Sequence, residues 1–188
     1  MIDSILKTLV LAACVALAAP GAGAATPTAA GPAAAAISSQ QQGIHQWQVA
    51  DGKLILVTGT YQDVTTYKRS LTFYLEAKPG EPWMHVPVVN GDTDQDLTWF
   101  SISQGEQTVA DAVVVPRAGT VDLVVAETKP GARAAVAVRW YRLAAYSDEN
   151  PDGPAHYFKK TSSSSYPASA RLTVEQVLKK EVASKPQK

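Results

Sequence analysis

The chain is organised as a series of short runs in which apolar and polar residues alternate. Over residues 69–77, Leu71, Phe73 and Leu75 are each followed by a polar or amphipathic residue. Alternation with a period of two is typical of a strand with one buried face. The same kind of pattern predicts further strands over residues 44–50, 53–61, 83–89, 97–103, 108–115, 120–128, 133–146 and 155–160.

Glycine and proline separate these runs at positions typical of hairpin turns. The pair Asp51-Gly52 stands between two β-like runs, which is a strong hairpin signal. Lys-Pro-Gly occurs at 78–80 and again at 129–131, and proline followed by glycine favours a tight turn. Pro87 cannot donate a ladder hydrogen bond, so the run over 83–89 is expected to be an edge strand or to be broken locally.

One helix is predicted near the C-terminus. Thr173 and Gln176 have the spacing of a capping box, and Leu172 and Val177 have that of a hydrophobic staple. The helix is expected over 174–183, after a polar loop over 161–165. The whole pattern predicts an all-β fold, a sandwich or small barrel with mainly antiparallel strands, and one short C-terminal helix.

The first 42 residues differ in composition from the rest of the chain. Lys7 precedes an apolar stretch over 8–19, and Ala22-Gly23-Ala24 fits a cleavage site, so residues 1–24 are predicted to be a signal peptide. Residues 25–42 are rich in alanine, proline, serine and glutamine and are predicted to be a disordered spacer. The β-domain is then expected over 43–170, followed by a C-terminal helix and tail over 171–188.

Cys14 allows a second interpretation of the leader. The sequence Leu11-Ala12-Ala13-Cys14 also fits a lipobox, in which the cysteine is lipidated and becomes the first residue of the mature chain. Both interpretations put the protein outside the cytoplasm, in the periplasm, in the secreted space or, if Cys14 is lipidated, on a membrane of the envelope. No transmembrane segment is expected once the signal has been removed.

Composition and charge argue against several partners and chemistries. Lysine plus arginine and aspartate plus glutamate each number 17, so the net charge is zero and nucleic acid is not an expected partner. Cys14 is the single cysteine, so a mature chain without its signal can form no disulfide and no thiolate metal site. The sequence also lacks G-x-S-x-G and the glycine-rich phosphate loops, which favours a binding protein over an enzyme.

One loop has part of a calcium-binding pattern. Asp148, Asn150 and Asp152 match the first half of D-x-N-x-D-G, whose side-chain oxygens are hard ligands of the kind that calcium prefers. The twelfth position is Lys159 where an EF-hand has glutamate, so the loop is not an EF-hand. An ordinary polar turn is the competing interpretation.

A second acidic loop holds Asp92, Asp94 and Asp96. Three carboxylates so close in sequence repel one another unless water or a shared cation screens them. A solvated loop and a metal site are therefore both predicted alternatives, and no cofactor other than calcium is indicated.

Aromatic and histidine residues give the other candidate sites. Tyr74 and Tyr141 fall on the more polar phase of their strands and are predicted to be exposed, where an aromatic side chain can stack on a sugar or bury in a partner protein. His45, His85 and His156 have none of the spacings of a zinc site. His85 and His156 are the candidate bases of a hydrolase.

Three functional hypotheses follow from these patterns. The first is an exported, non-catalytic binding module that engages a protein or a glycan in the envelope. The second is a calcium-dependent glycan-binding β-sandwich. The third is an envelope hydrolase that uses a histidine and a carboxylate.

Overall fold

The computed structural model describes residues 36–39, 41–64, 66–91, 94–129, 134–145 and 154–185. Within these ranges the chain forms twelve strands and one α-helix, α1 (Val174–Ser184). The strands are β1 (Ile37–Ser38), β2 (Gly43–Val49), β3 (Gly52–Gln62), β4 (Thr66–Glu76), β5 (Met84–His85), β6 (Val88–Val89), β7 (Gln95–Asp96), β8 (Thr98–Gln104), β9 (Gln107–Arg117), β10 (Thr120–Glu127), β11 (Val136–Ala145) and β12 (His156–Tyr166).

All twelve strands described belong to one sheet, in the order β2-β3-β4-β8-β9-β10-β11-β12-β6-β7, with β1 on β9 and β5 on β4. Every pairing among them is antiparallel except that of β6 with β12. The predicted all-β class, with mainly antiparallel strands and one C-terminal helix, is confirmed. No barrel closure is detected among the described strands.

The sheet curls so that its early strands face its late strands across the main core. Leu54, Leu71 and Phe73 from β3 and β4 share this core with Leu123 from β10 and Phe158 from β12. The rings of Phe73 and Phe158 meet edge to face, with centroids 4.6 Å apart. The apolar phase that alternation predicts for β4 is therefore the face turned inward.

The segment Met84–Val89 lies between the two ends of the curl. Its first half is β5, which pairs with β4, and Val86 N–H donates to Phe73 O at 2.9 Å. Its second half is β6, which pairs with β12, and Phe158 N–H donates to Pro87 O at 2.8 Å. The predicted break at Pro87 is confirmed, because the backbone changes its partner strand there.

Helix α1 covers part of the outer surface of the sheet. Val174, Val177 and Leu178 pack against a second core that includes Val124 of β10 and Trp140 of β11. The predicted capping box is present: Thr173 accepts from Gln176 N–H, and the Gln176 side chain accepts from Thr173 N–H at 3.0 Å. In the part of the chain that the structure describes, no helix is both long and apolar enough to cross a membrane.

Two segments differ from the sequence-based expectation. The polar loop expected over 161–165 is the second half of β12, because Ser163 and Ser164 pair with Arg139 and Val138 of β11. Neighbouring-strand hydrogen bonds here outweigh the weak strand propensity of serine. The pairing of Ile37 with Val114 also places ordered backbone before Gly43, inside the segment expected to be a spacer.

Candidate functional site

The outer surface of β2, β3, β4 and β8 is not covered by α1. We call it the open face, and it comprises the residues that alternate with the core residues of these strands. Cross-strand pairing places its members in rows: Phe100 with Ser70; Thr98 with Thr72, Val57 and Ile44; and Tyr74 with Ile55 and Gln46. Ile44 is 59% and Phe100 41% exposed, so large apolar groups on this face meet solvent.

An aromatic cluster lies at the margin of the open face where β5 joins β4. His85 pairs with Tyr74, and their rings meet edge to face with centroids 4.6 Å apart. Trp83 is 47% exposed, and its ring centroid is 6.0 Å from that of Tyr74. Tyr74 itself is half-buried, so the prediction that it is surface-accessible holds for part of its ring.

The open face carries one internally neutralised ion pair and one further lysine, Lys68, which lies in the same phase of β4 as Ser70. Lys53 forms a salt bridge with Glu76, which also accepts from Gly80 N–H at 3.0 Å. The hydrogen bond from Lys53, followed by that from Gly80 and with a smaller contribution from Trp83, holds the pKa of Glu76 below its ordinary value. Thr72 and Thr98 also satisfy each other, with their hydroxyl oxygens 2.9 Å apart. These hydroxyl and carboxylate groups beside the aromatic cluster are therefore already paired, whereas the buried Nδ1 of His85 has no hydrogen-bond partner in the described part.

Tyr141 is not a surface residue, and the prediction of its exposure is wrong. Its side chain belongs to the main core and is 1% exposed. The hydroxyl group donates to Asn90 Oδ1, and burial raises the pKa of Tyr141 above its ordinary value. The phase that Tyr141 shares with Arg139 faces the interior of the curled sheet, which a pattern in one strand cannot reveal.

The acidic loops are described only in part. Asp148, Asn150, Asp152 and Asp92 lie outside the described residues, as do residues 1–35 with the predicted signal and Cys14. Asp94 O accepts from Asn90 N–H at 2.9 Å, and Asp96 Oδ2 accepts from Asn90 Nδ2 at 2.8 Å. Asp94 and Asp96 thus fix Asn90, which in turn holds Tyr141. Among the described residues, no group of three or more histidine, cysteine or carboxylate side chains is gathered as a metal site.

The three histidines lie on different elements. His45 of β2 stacks on Trp47, His85 is in the aromatic cluster, and His156 Nε2 is 3.5 Å from Asp51 Oδ2. The Nδ1 atoms of His85 and His156 are buried and have no hydrogen-bond partner in the described part. Three cavities of 380, 480 and 410 Å³ open in this part of the chain, and none of the three is lined by a histidine.

A carboxyl group that the sequence did not single out is buried beneath α1. Asp111 lies on the wall of the 480 Å³ cavity and is 4% exposed. Desolvation raises the pKa of Asp111 above its ordinary value, against the opposing hydrogen bonds from the Ser39 hydroxyl and from Ala112 N–H. Glu175, on the first turn of α1, raises it further through its negative charge. The ionised form of Asp111 is therefore a cost to the folded state.

We expect Asp111→Asn to stabilise the protein at neutral pH, because asparagine keeps the acceptor oxygen and removes the buried charge. A gain of about 1 kcal/mol corresponds to a rise in Tm of about 2–4 °C. Because the pKa of Asp111 is raised in the folded state, the wild type loses stability as the pH rises through that pKa. The Tm values of the wild type and of Asp111→Asn should therefore converge at low pH. Thermal unfolding at several pH values tests this, with the exposed Asp94→Asn as control. A lower Tm for Asp111→Asn at pH 7 contradicts the prediction.

Sequence reasoning found Tyr74 but missed Ile44, Trp83 and Phe100 as surface residues of one face. An apolar residue in a strand is usually assigned to the core from sequence alone. The cross-strand pairing is what shows that Ile44 and Phe100 lie in the outward phase of their strands. The exposed position of Phe100 follows from its pairing with Ser70, whose phase is opposite to that of Leu71. The polar phase of β4 that contains Ser70 was therefore the one feature of the sequence from which the outward face could have been identified.

Comparison with known proteins finds one likeness in structure. The crystal structure of CarG is similar to this chain with a TM-score of 0.55 and 20% sequence identity, over 72% of this chain and 94% of that chain. No family model matches the chain, and no curated protein sequence does either. At this level of identity the likeness extends to the fold alone.

Proposed function

We propose that the protein is an exported, non-catalytic binding module that engages another protein through the open face. Export is inferred from the charged, apolar and small-residue regions of the first 24 residues, which are typical of a cleaved signal. The observation that carries the binding function is the exposure of Ile44, Trp83 and Phe100 on one sheet surface. Exposed apolar surface of this kind is typical of interaction sites.

The chemistry of the open face favours a protein over a glycan. Apart from the ion pair of Lys53 with Glu76 and from Lys68 near the start of β4, its residues are apolar, aromatic or uncharged. Protein interfaces are depleted of charge and enriched in aromatic residues at their centre. A sugar needs hydrogen-bonding groups beside the stacking ring. Here Thr72 is bonded to Thr98, and Glu76 is bonded to Lys53 and Gly80. The expected partner surface is therefore apolar and nearly neutral.

The first test is in-cell crosslinking of the tagged protein, followed by stringent purification from envelope and secreted fractions. Phe100→Asp puts a charge in the exposed row of the open face, and we expect it to abolish capture of the dominant partner. With the purified partner, Trp83→Ala should weaken binding by at least about 30-fold, or about 2 kcal/mol, as at an aromatic hot spot. Val64→Asp is the control, because Val64 is a fully exposed apolar residue in the β3–β4 turn.

Each other outcome is informative. Equal capture by wild type and Phe100→Asp contradicts the use of the open face. Self-association of the purified wild type that Phe100→Asp removes identifies a second copy as the occupant, which contradicts a different protein partner. Binding to immobilised glycans that Trp83→Ala removes, with no protein captured, replaces the protein partner by a sugar.

A further inference from the structure

A cleft of 380 Å³ opens on the outer surface of the sheet beside the C-terminal end of α1. It is distinct from the open face, since its walls come from the late strands. Arg117 is from β9, Asp122 from β10 and Arg142 from β11, while Lys185 follows the last residue of α1. The cleft therefore gathers three cationic side chains and one carboxylate from three strands and from the residue that follows α1.

Asp122 is shared by both arginines. Arg142 donates to it twice, from Nε to Oδ1 at 2.7 Å and from Nη2 to Oδ2 at 3.1 Å, and Arg117 Nε donates to Oδ2 at 3.0 Å. The Asp122 and Arg117 side chains are 4% and 9% exposed, while that of Arg142 is half-exposed. One buried carboxylate thus fixes the planes of two guanidinium groups, and this pre-organises them for a ligand.

Positive charge exceeds negative charge around the cleft. Lys159 lies opposite Arg142 in the β11–β12 ladder and adds a cation to the three in the lining. The second nearby carboxylate is Glu181, and it accepts from Trp140 Nε1 at 2.8 Å and from the Tyr166 hydroxyl at 2.7 Å. Four cations therefore face two carboxylates. A cleft surrounded by an excess of positive charge attracts anions, so an anionic ligand in the cleft is favoured.

The backbone at the cleft is shaped by a β-bulge. Trp140 pairs with Ser162 while Tyr141 pairs with Lys160, which leaves Thr161 as an extra residue on β12. Thr161 Oγ1 donates to Trp140 O at 3.1 Å. Lys185 Nζ is 4.0 Å from the Trp140 ring centroid, which keeps the ammonium group beside the cleft. Bulges are common next to binding sites, where they re-aim side chains.

We propose that this cleft binds a small ligand through a carboxylate or phosphate group. The half-exposed guanidinium group of Arg142 recognises the oxyanion, while the buried Asp122, itself fixed by Arg117, holds that group in position. Lys185 contributes a point charge from the lining of the cleft. The proposal goes beyond the protein-binding function and does not depend on it, because no residue is shared by the cleft and the open face.

The test is an NMR titration of the isotopically labelled full chain with sodium phosphate and, separately, with sodium acetate. Sodium chloride at equal ionic strength is the reference. We expect saturable shifts of the Thr120 and Thr161 amides and of the Trp140 indole with one oxyanion or both, and the smaller Kd identifies the preferred group. Identical shifts with chloride overturn the proposal.

Variants at the cleft give the second part of the test. Arg142→Gln and Lys185→Gln should each raise the Kd of the oxyanion, the former by about tenfold, or about 1.4 kcal/mol. Arg139→Gln is the matched control, because Arg139 is on the same strand but pairs with Glu127 at 2.6 Å. Because Lys185 is exposed, Lys185→Gln should fold, and its Kd for the oxyanion tests the site even if Arg142→Gln fails to fold. An unchanged Kd in Lys185→Gln and in folded Arg142→Gln rules out the site.

Discussion

Replacement of Asp122 by alanine is expected to lower the free energy of unfolding by about 3–5 kcal/mol, the cost of breaking a buried ion pair from one side. The variant leaves Arg117 and Arg142 close together without the carboxylate that they share. The loss of the carboxylate costs more at Arg117 than at Arg142, because the Arg117 side chain is almost fully removed from water. Urea denaturation of the purified variant measures the loss.

The matched control for Asp122→Ala is Glu127→Ala. Glu127 pairs with Arg139 of β11 as Asp122 pairs with Arg142, but both side chains of that pair are about one-third exposed. We expect Glu127→Ala to cost under about 1 kcal/mol. An equal loss in the free energy of unfolding in the two variants would show that burial does not make the Asp122 ion pairs more important for stability than an exposed pair.

The second large effect is expected at Glu181, which joins α1 to the sheet. Its carboxylate accepts from Trp140 Nε1 and from the Tyr166 hydroxyl, and Trp140 is buried beneath the helix. Glu181→Ala leaves both donors without this acceptor, and we expect it to cost about 2–4 kcal/mol at pH 7. Hydrogen exchange of the α1 amides should rise with the loss of stability, since the helix loses its polar contact with β11.

The effect of Glu181 depends on pH in a defined direction. Burial opposes its ionisation, but the hydrogen bonds from Trp140 and Tyr166 outweigh burial and hold the pKa of Glu181 below the ordinary 4.5. A lowered pKa gives stability that is complete above the ordinary value and is lost as the pH falls through the folded-state value. The gap between wild type and Glu181→Ala should therefore narrow below pH 4.5. Glu181→Gln should lack this dependence, and a gap that widens in acid would contradict the assignment.

Local patterns in the sequence were sufficient for the elements whose signal is local. Alternation of Leu71, Phe73 and Leu75 identified the core face of β4, and the spacing of Thr173 and Gln176 identified the start of α1. Both depend on contacts within a few residues. The all-β class followed because many such strands were found between turns.

The sequence failed where a second layer decides the outcome. Strand β11 has Val138 and Trp140 under α1 and Tyr141 inside the curl, so both of its faces are buried. One apolar phase and one mixed phase had indicated a strand with a single buried face. The charged cleft was missed for a related reason, since Asp122 and Arg142 are 20 residues apart in sequence and meet only through the β10–β11 pairing. A lone aspartate inside an apolar run was the one signal that it needs a buried cation.

The serine-rich half of β12 has a consequence for how the protein behaves at high concentration. Only β11 and β6 pair with β12 in the described part, and β6 reaches no further than Lys159. From Lys160 onward no described strand pairs with the other backbone edge, and an unpaired edge is a template for a strand of another molecule. If the same edge of a second copy paired here, Lys159 and Lys160 of the two copies would repel each other. The serine side chains would also give the pair little apolar surface to bury. We therefore expect the lysine and serine content of this half of β12 to disfavour edge-to-edge aggregation.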